Sequence, residues 1–304
     1  MTTRIQGVLT PVVTPFDAQG AIDTKLFVDQ CRWLQERQIG LAVFGTNSEA
    51  NSMSADEKLD LLDLLVDAGL DASRIMPGTG ACDLPTAVRL SRRAVKNGCG
   101  GVLTLPPFFY KGVADDGLYR FFAELIEQVG DADLKVYLYH IPPVAQVGFS
   151  VALVERLLKA YPKTIAGMKD SSGDWGNTEA MLKSFAKDGF DVFAGSETLL
   201  LRTLQHGGAG CISATANVNA VAIHELCTGW KTAGAERSQE RLNEVRSVFQ
   251  NFPMVPALKA AIAHWSGQEA WRHVRPPLVR LSDAQRQDLL AALHKVEFSI
   301  SGLC

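Results

Sequence analysis

Eight short apolar or β-branched runs recur along the chain as far as Ala214, each gap wide enough for one helix, and this alternation limits the fold more than any other feature. The runs are Val8 to Thr14, Leu41 to Gly45, Arg74 to Gly78, Gly101 to Leu105, Lys135 to His140, Thr164 to Lys169, Asp191 to Gly195 and Cys211 to Ala214. Parallel strands cannot be joined by tight hairpins and need a crossover, usually a helix. The intervening segments supply it: Asp23 to Gln38, the leucine-rich stretch Leu59 to Leu65 behind the capping box Ser54-Ala55-Asp56-Glu57, Leu84 to Asn97, Asp115 to Val129, Ser150 to Tyr161, Asn177 to Asp188, Glu197 to His206 and Val218 to Thr232. Eight strand-helix units with no second set of strands predict an α/β fold of the closed (β/α)₈ barrel type, a TIM barrel, rather than an open doubly wound sheet. Beyond about Ala233 only helical patterns remain: Glu236 to Gln250, Val255 to Trp265 and a last helix opened by Ser282-Asp283-Ala284-Gln285, with Pro276-Pro277 separating the last two. The expected division is a barrel over 1–232 carrying the active site and an all-helical extension over 233–304.

A chain of 304 residues with 47% hydrophobic and 21% charged residues has the composition of a globular protein, which excludes disordered and fibrous classes. Thirty Lys plus Arg against 33 Asp plus Glu leave a net charge of −3, with no basic excess to mark a nucleic-acid partner. The six cysteines, Cys31, Cys82, Cys99, Cys211, Cys227 and Cys304, stand singly, a pattern that fits neither a zinc site nor a disulfide framework. The start, from Met1-Thr2-Thr3 into Pro11 and Pro15, does not read as a signal peptide, and no apolar run reaches the ~20 residues of a membrane span. A cytoplasmic protein without membrane contact is expected, with a small molecule as its partner.

Barrel enzymes hold their reacting groups at the C-terminal ends of the strands. Four stretches stand there: Gly45-Thr46-Asn47-Ser48-Glu49, Pro106-Pro107-Phe108-Phe109-Tyr110, Tyr139-His140-Ile141-Pro142 and Gly167-Met168-Lys169-Asp170. Lys169 closes an apolar run, so at a barrel mouth it would be partly desolvated and easier to hold as the neutral amine that attacks a ketone to form a Schiff base. Position alone fits equally a lysine that merely solvates a strand end. Tyr139 offers a phenol for proton relay, or a core tyrosine with a satisfied hydroxyl. Thr46 and Asn47 offer donors suited to a carboxylate, in a stretch that also reads as an ordinary turn. The six histidines show no H-x-H or H-E-x-x-H spacing, so no metal is expected. Gly98-Cys99-Gly100-Gly101 and Gly207-Gly208-Ala209-Gly210 lack the nucleotide-binding signatures and read as tight turns leading into strands.

Taken in order, Gly7-Val8-Leu9-Thr10-Pro11-Val12-Val13-Thr14-Pro15-Phe16, Gly45 to Glu49, Tyr139 to Pro142, Gly167 to Asp170 and Ala216-Asn217-Val218 resemble the dihydrodipicolinate synthase/N-acetylneuraminate lyase family of class I, pyruvate-type aldolases. The resemblance runs through essentially the whole chain. It implies a (β/α)₈ barrel with a helical C-terminal extension, Lys169 as Schiff-base lysine, Tyr139 as proton shuttle, Thr46 and Asn47 as carboxylate clamp, Gly195 and Ile212 lining the pocket (Ile212 through its backbone), a cofactor-free reaction on a pyruvate-like 2-oxo acid, and a homotetramer or dimer.

Three departures from the family pattern shape the functional expectation. Pro143-Val144-Ala145-Gln146 stands where synthases carry an arginine for the aldehyde's carboxylate, and Val144 cannot replace it. Phe109 stands where they place a tyrosine lent across a subunit interface, with Tyr110 one position on. Ser48 replaces a glycine of the carboxylate loop, which puts its turn conformation in question. These differences point to an aldolase for 4-hydroxy-2-oxoglutarate or a 2-keto-3-deoxy sugar acid. A synthase condensing pyruvate with aspartate semialdehyde, a sugar-acid dehydratase and a non-catalytic 2-oxo-acid-binding barrel are the alternatives.

Overall fold

The computed structural model describes residues 4–303; Met1-Thr2-Thr3 and Cys304 lie outside them. Seven parallel strands form one sheet, β1 (Gly7–Thr10), β2 (Gly40–Leu41), β3 (Val102–Thr104), β4 (Val136–His140), β5 (Ile165–Asp170), β6 (Asp191–Ala194) and β7 (Gly210–Ile212), in the order β2-β1-β7-β6-β5-β4-β3. The third apolar run is not a regular strand. It closes the ring through single bridges, Leu41 to Ile75 and Gly78 to Leu103, with Met76 N–H donating to Leu41 O at 2.7 Å and Leu103 N–H to Pro77 O at 2.9 Å. Gly78 N–H to Val43 O at 2.7 Å and Thr79 N–H to Leu103 O at 3.0 Å add a second bond on each side, while Pro77, lacking an N–H, removes one donor from the segment. Closure shows in the packing as well: Leu9, Ala42, Met76, Leu103, Tyr137, Ala166, Phe193 and Ile212, one from each of the eight runs, share one buried cluster with Ile5 and Tyr139. That cluster fills the barrel as side chains from successive strands do in this architecture.

The first run is shorter than its apolar pattern. β1 stops at Thr10, and Pro11 to Thr14 are buried without a strand partner. Asn217 pairs their backbone instead: its Oδ1 accepts from Val13 N–H at 2.9 Å, and its Nδ2 donates to Pro11 O at 3.1 Å and to Ala214 O at 2.8 Å. Buried backbone polar groups must be satisfied somewhere, which gives the Ala216-Asn217-Val218 stretch a structural reason.

The outer layer comprises α1 (Thr24–Glu36), α2 (Ala55–Asp67), α3 (Leu84–Lys96), α4 (Asp115–Val129), the single turn α5 (Pro142–Ala145), α6 (Val151–Ala160), α7 (Trp175–Phe185), α8 (Leu200–Gln205) and α9 (Ala216–Gly229). α10 (Ala235–Gln250), α11 (Met254–Ser266) and α12 (Asp283–Lys295) follow, without strands. Both capping boxes form: Ser54 N–H donates to Glu57 Oε2 at 2.8 Å and Glu57 N–H to Ser54 Oγ at 3.1 Å, and Ser282 and Gln285 repeat the exchange at the start of α12. Such a cap contributes about 1 kcal/mol. Residues of α10, α11 and α12 share the outer hydrophobic core with those of the barrel helices. No helix among the described residues is long and apolar enough to cross a membrane.

One irregularity decides which way the catalytic candidate faces. Ile165 and Met168 both pack in the outer core, although strict alternation over three residues would send Met168 inward and Lys169 outward. A register shift corrects this: Val136 pairs with Ile165 but Tyr137 with Gly167, leaving Ala166 as an extra residue on β5. Such a bulge re-aims the side chains beyond it. Ala166 turns into the barrel, and Lys169 comes to lie opposite Tyr139. Gly167 permits the bulge, since a Cβ there would run into the Asp191 carbonyl and lie 2.9 Å from both Asp191 Cβ and Tyr137 Cδ1. Gly167→Ala is therefore expected to destabilise the fold by about 1–3 kcal/mol, the usual range for overpacking, and to lower activity with it. Denaturant unfolding compared with turnover checks this, and unchanged values for both would mean that the strand re-phases without the glycine.

Candidate active site

At the C-terminal end of β5, Lys169 is 2% exposed, far more enclosed than the partly desolvated strand-end position expected from sequence. Its Nζ donates to Tyr139 Oη at 3.2 Å and lies 4.3 Å from the centre of the same ring. Tyr139 is 3% exposed and shares a second hydrogen bond of 3.2 Å with Thr46 Oγ1. Amine, phenol and threonine hydroxyl thus form one continuous chain built from β5, β4 and the loop after β2. Its hydroxyl-hydroxyl link can carry a proton in either direction, because each partner both donates and accepts.

Thr46, Asn47 and Ser48 form a single 3₁₀ turn. Ser48 is compatible with it: the residue keeps φ negative, its Oγ accepts from Gly45 N–H at 3.2 Å, and its carbonyl accepts from Thr14 Oγ1 at 2.8 Å. The left-handed conformation falls one residue later, at Glu49, with φ of 58°. Thr46 and Asn47 remain partly accessible beside the buried Lys169 and Tyr139. Gly195 follows β6, its N–H donating to Asp170 O at 2.7 Å, and a Cβ there would overlap Ser171 Oγ. Ile212 is fully buried in the barrel-filling cluster, so its side chain is packing around the site.

Phe109, Tyr110 and Val144 are not gathered with these residues inside one chain. Phe109 and Tyr110 are 73% and 72% exposed and meet edge to face at 5.4 Å, and Val144, in α5, is 62% exposed. Lys111 bridges their loops, donating to Phe108 O and, at 2.8 Å, to Ala145 O. Val144 is thus open to solvent in the single chain and brings no cation to its loop.

Several supporting residues were not singled out from sequence. Asp170 accepts from Thr178 Oγ1 at 2.6 Å, Asn177 Nδ2 at 2.9 Å and Ser172 N–H at 2.9 Å, which fixes the loop directly after Lys169. Burial holds the His140 imidazole below its ordinary pKa against the opposing pull of Asp170, so neutral Nδ1 accepts from Phe149 N–H at 3.0 Å and closes the loop around α5. Lys259, a lone cation within the apolar stretch Val255 to Ile262, pairs with Glu49 in full burial. Its sequence setting was a signal, because a lysine among apolar residues needs a buried partner. Among the described residues no group of three or more His, Cys, Asp and Glu side chains is placed to hold a metal ion.

Residues 4–296 match the model of the dihydrodipicolinate synthetase family. The chain is 30% identical over 294 residues to an uncharacterized DapA-like lyase of Chloroflexus aurantiacus, covering 96% of this chain and 97% of that protein. It is also 30% identical over 289 residues to the 4-hydroxy-tetrahydrodipicolinate synthase of Rhizobium meliloti, covering 95% and 93%. Among solved structures, the dihydrodipicolinate synthase of Agrobacterium tumefaciens superposes with a TM-score of 0.89 at 30% identity, over 96% of this chain and 99% of that one. YagE, an E. coli prophage protein of the same family solved in complex with pyruvate, gives 0.88 at 26% identity over 99% and 100%. With the closed barrel, the helices beyond it and the match over nearly the whole chain all in agreement, this protein belongs to the dihydrodipicolinate synthetase family and is an enzyme of its aldolase and lyase class.

Proposed function

We propose that the protein makes or cleaves the bond between C3 and C4 of a 2-oxo acid through a Schiff base on Lys169, with 4-hydroxy-2-oxoglutarate or a 2-keto-3-deoxy sugar acid as substrate. The observation that carries this reading is the hydrogen-bonded chain from Lys169 through Tyr139 to Thr46 in a buried barrel end. Thr46 and Asn47 hold the substrate carboxylate, and the amine attacks the C2 ketone, whose oxygen leaves as water. Tyr139, having given its phenolic proton to that departing water, takes as phenolate the proton from the 4-hydroxyl, C3–C4 breaks, its electron pair passes into the protonated imine to give an enamine, and the aldehyde departs. The phenol returns the proton to C3, and hydrolysis frees pyruvate and the amine. The protonated imine is itself the electron sink, so the scheme draws on no metal or cofactor. The pyruvate complex of YagE supports the 2-oxo-acid half.

The names of the curated relatives favour a second reading, condensation of pyruvate with aspartate semialdehyde. Val144 counts against it, since a carboxylate is best held by a charge-assisted, bidentate donor that valine does not provide. Cleavage of at least one 4-hydroxy-2-oxo acid or processing of a 2-keto-3-deoxy sugar acid is expected to exceed the condensation by at least about tenfold in kcat/KM, the ratio that reports differential transition-state stabilisation. A substrate panel in both directions checks this, and a faster condensation would reverse the order of the two readings. Binding of 2-oxo acids without any turnover would indicate a non-catalytic barrel. We also assign the enzyme to the cytoplasm as a dimer or tetramer, in which a second copy covers the exposed Phe109 and Tyr110. Sedimentation of wild type against Tyr110→Arg, expected to shift toward the monomer, tests the assembly.

A further inference from the structure

Every group named in the mechanism lies in the barrel or its loops, yet the loop that carries Thr46 and Asn47 is gripped from behind by the C-terminal helices. Glu49, two residues beyond Asn47, turns away through its left-handed backbone into a closed pocket, where it and Lys259 of α11 pair with no side-chain exposure. Lys259 Nζ also donates to His273 O at 2.6 Å, and Arg275 N–H donates to Glu49 Oε2 at 2.9 Å. The Arg275 guanidinium continues the strap: Nε donates to Gly20 O at 2.9 Å, Nη1 to Ser52 O at 2.9 Å and to Glu57 Oε2 at 3.0 Å, and Nη2 to Glu57 Oε1 at 2.5 Å. Both cations sit 4.5 Å from the centre of the Phe16 ring. One end of the short segment is thus fixed by the bond from Thr46 to Tyr139 and the other by the extension.

A buried ion pair is weak evidence for stability, since an apolar pair of similar size often serves as well, but it fixes geometry because each charge has one acceptable position. We infer that Glu49, Lys259 and Arg275 are positioning residues, through which the C-terminal extension sets the placement of Thr46 and Asn47 and so the affinity for the 2-oxo-acid carboxylate. This rests on the reading of Thr46 and Asn47 as the carboxylate clamp. Small errors in the placement of binding groups lose up to about 100-fold in reaction efficiency, which sets the scale of the expected effect.

The test uses pyruvate as the probe and borohydride to trap the imine, and it reads the pyruvate concentration for half-maximal trapping separately from the trapping rate at saturation. Glu49→Gln and Lys259→Met singly, each leaving a buried group without its partner, are expected to raise the half-saturating concentration about tenfold or more and to lower the melting temperature. The double variant E49Q/K259M removes the lone charge and is expected to recover the melting temperature while the half-saturating concentration stays raised. Recovery of both together would overturn the inference and leave the pair a stability element only. Should the buried variants fail to fold, Arg275→Met decides, because it breaks the strap at a partly exposed residue and leaves the pair in place. A rise of about threefold or more in half-saturation supports the inference, and an unchanged value overturns it. Wild-type protein that gives no adduct on Lys169 would instead refute the clamp reading itself, so the two failures are distinguishable.

Discussion

Lys169→Ala is expected to abolish turnover, by about 10⁴-fold or more, because in the proposed reaction this residue supplies the covalent bond to the substrate and no neighbouring group replaces it. Wild-type protein treated with pyruvate and borohydride should carry a stable secondary amine on Lys169, seen by mass spectrometry of the digested protein, and the variant should carry none. Among the described residues, Lys169 is the lysine that meets Tyr139 inside the barrel end; Lys259 is the other fully enclosed one, and its ammonium is held by Glu49 and a backbone carbonyl. An adduct on Lys259 or a surface lysine, or trapping that survives Lys169→Ala, would defeat the assignment. The fold is expected to persist, since the substitution removes a polar terminus from the top of the barrel and leaves the cluster from Ile5 to Ile212 below it intact.

Tyr139→Phe is expected to lower kcat by roughly 10²–10⁴-fold, the range for loss of a positioned acid or base, with a smaller change in pyruvate binding. The ring keeps its place in the barrel cluster, and only the oxygen joining Lys169 to Thr46 is lost. Because Thr46 then lacks its partner, a modest rise in KM should accompany the fall in kcat. Pre-steady-state measurement of imine formation separates the roles: a slowed proton transfer leaves trapping with pyruvate possible while release of product stalls. A kcat within about threefold of wild type, too small a change for an acid or base, would reduce Tyr139 to packing. Phe109→Tyr is the companion measurement. It should raise activity where a phenol supplied by a second copy limits the relay, and should change nothing where Tyr110 already serves.

Much of this arrangement was legible in the one-dimensional pattern. The eight runs with helical spacers dictated the barrel, because parallel strands demand crossovers and eight such units close on themselves. The rule that barrel chemistry gathers at strand ends then picked out four stretches, from which the structure joins Thr46, Tyr139 and Lys169 in one hydrogen-bonded chain while Phe109 and Tyr110 stay exposed outside it. The capping boxes at Ser54 and Ser282 were readable for the same reason, since both halves of each exchange lie within four residues.

What the pattern could not carry was everything that depends on register or on contact between distant segments. The apolar run Thr164 to Met168 does not say where its alternation breaks, and an unbroken strand would have turned Lys169 away from Tyr139; Gly167 permits the bulge, since a side chain there would meet Asp191 and Tyr137 of the neighbouring strands. The third run reads as a strand by composition, but it pairs with its neighbours through two isolated bridges, with Pro77 offering no donor between them. Glu49 and Lys259 lie 210 positions apart, and nothing local to either names the other. The sequence by itself therefore determined the architecture and the candidates for the reacting groups, since local periodicity and residue type at the strand ends are enough for both. Only the tertiary structure decided the direction Lys169 faces, the depth of its burial and the grip of the C-terminal extension on the loop of Thr46 and Asn47, because backbone register and long-range charge pairing are settled by packing against neighbours that local sequence does not specify.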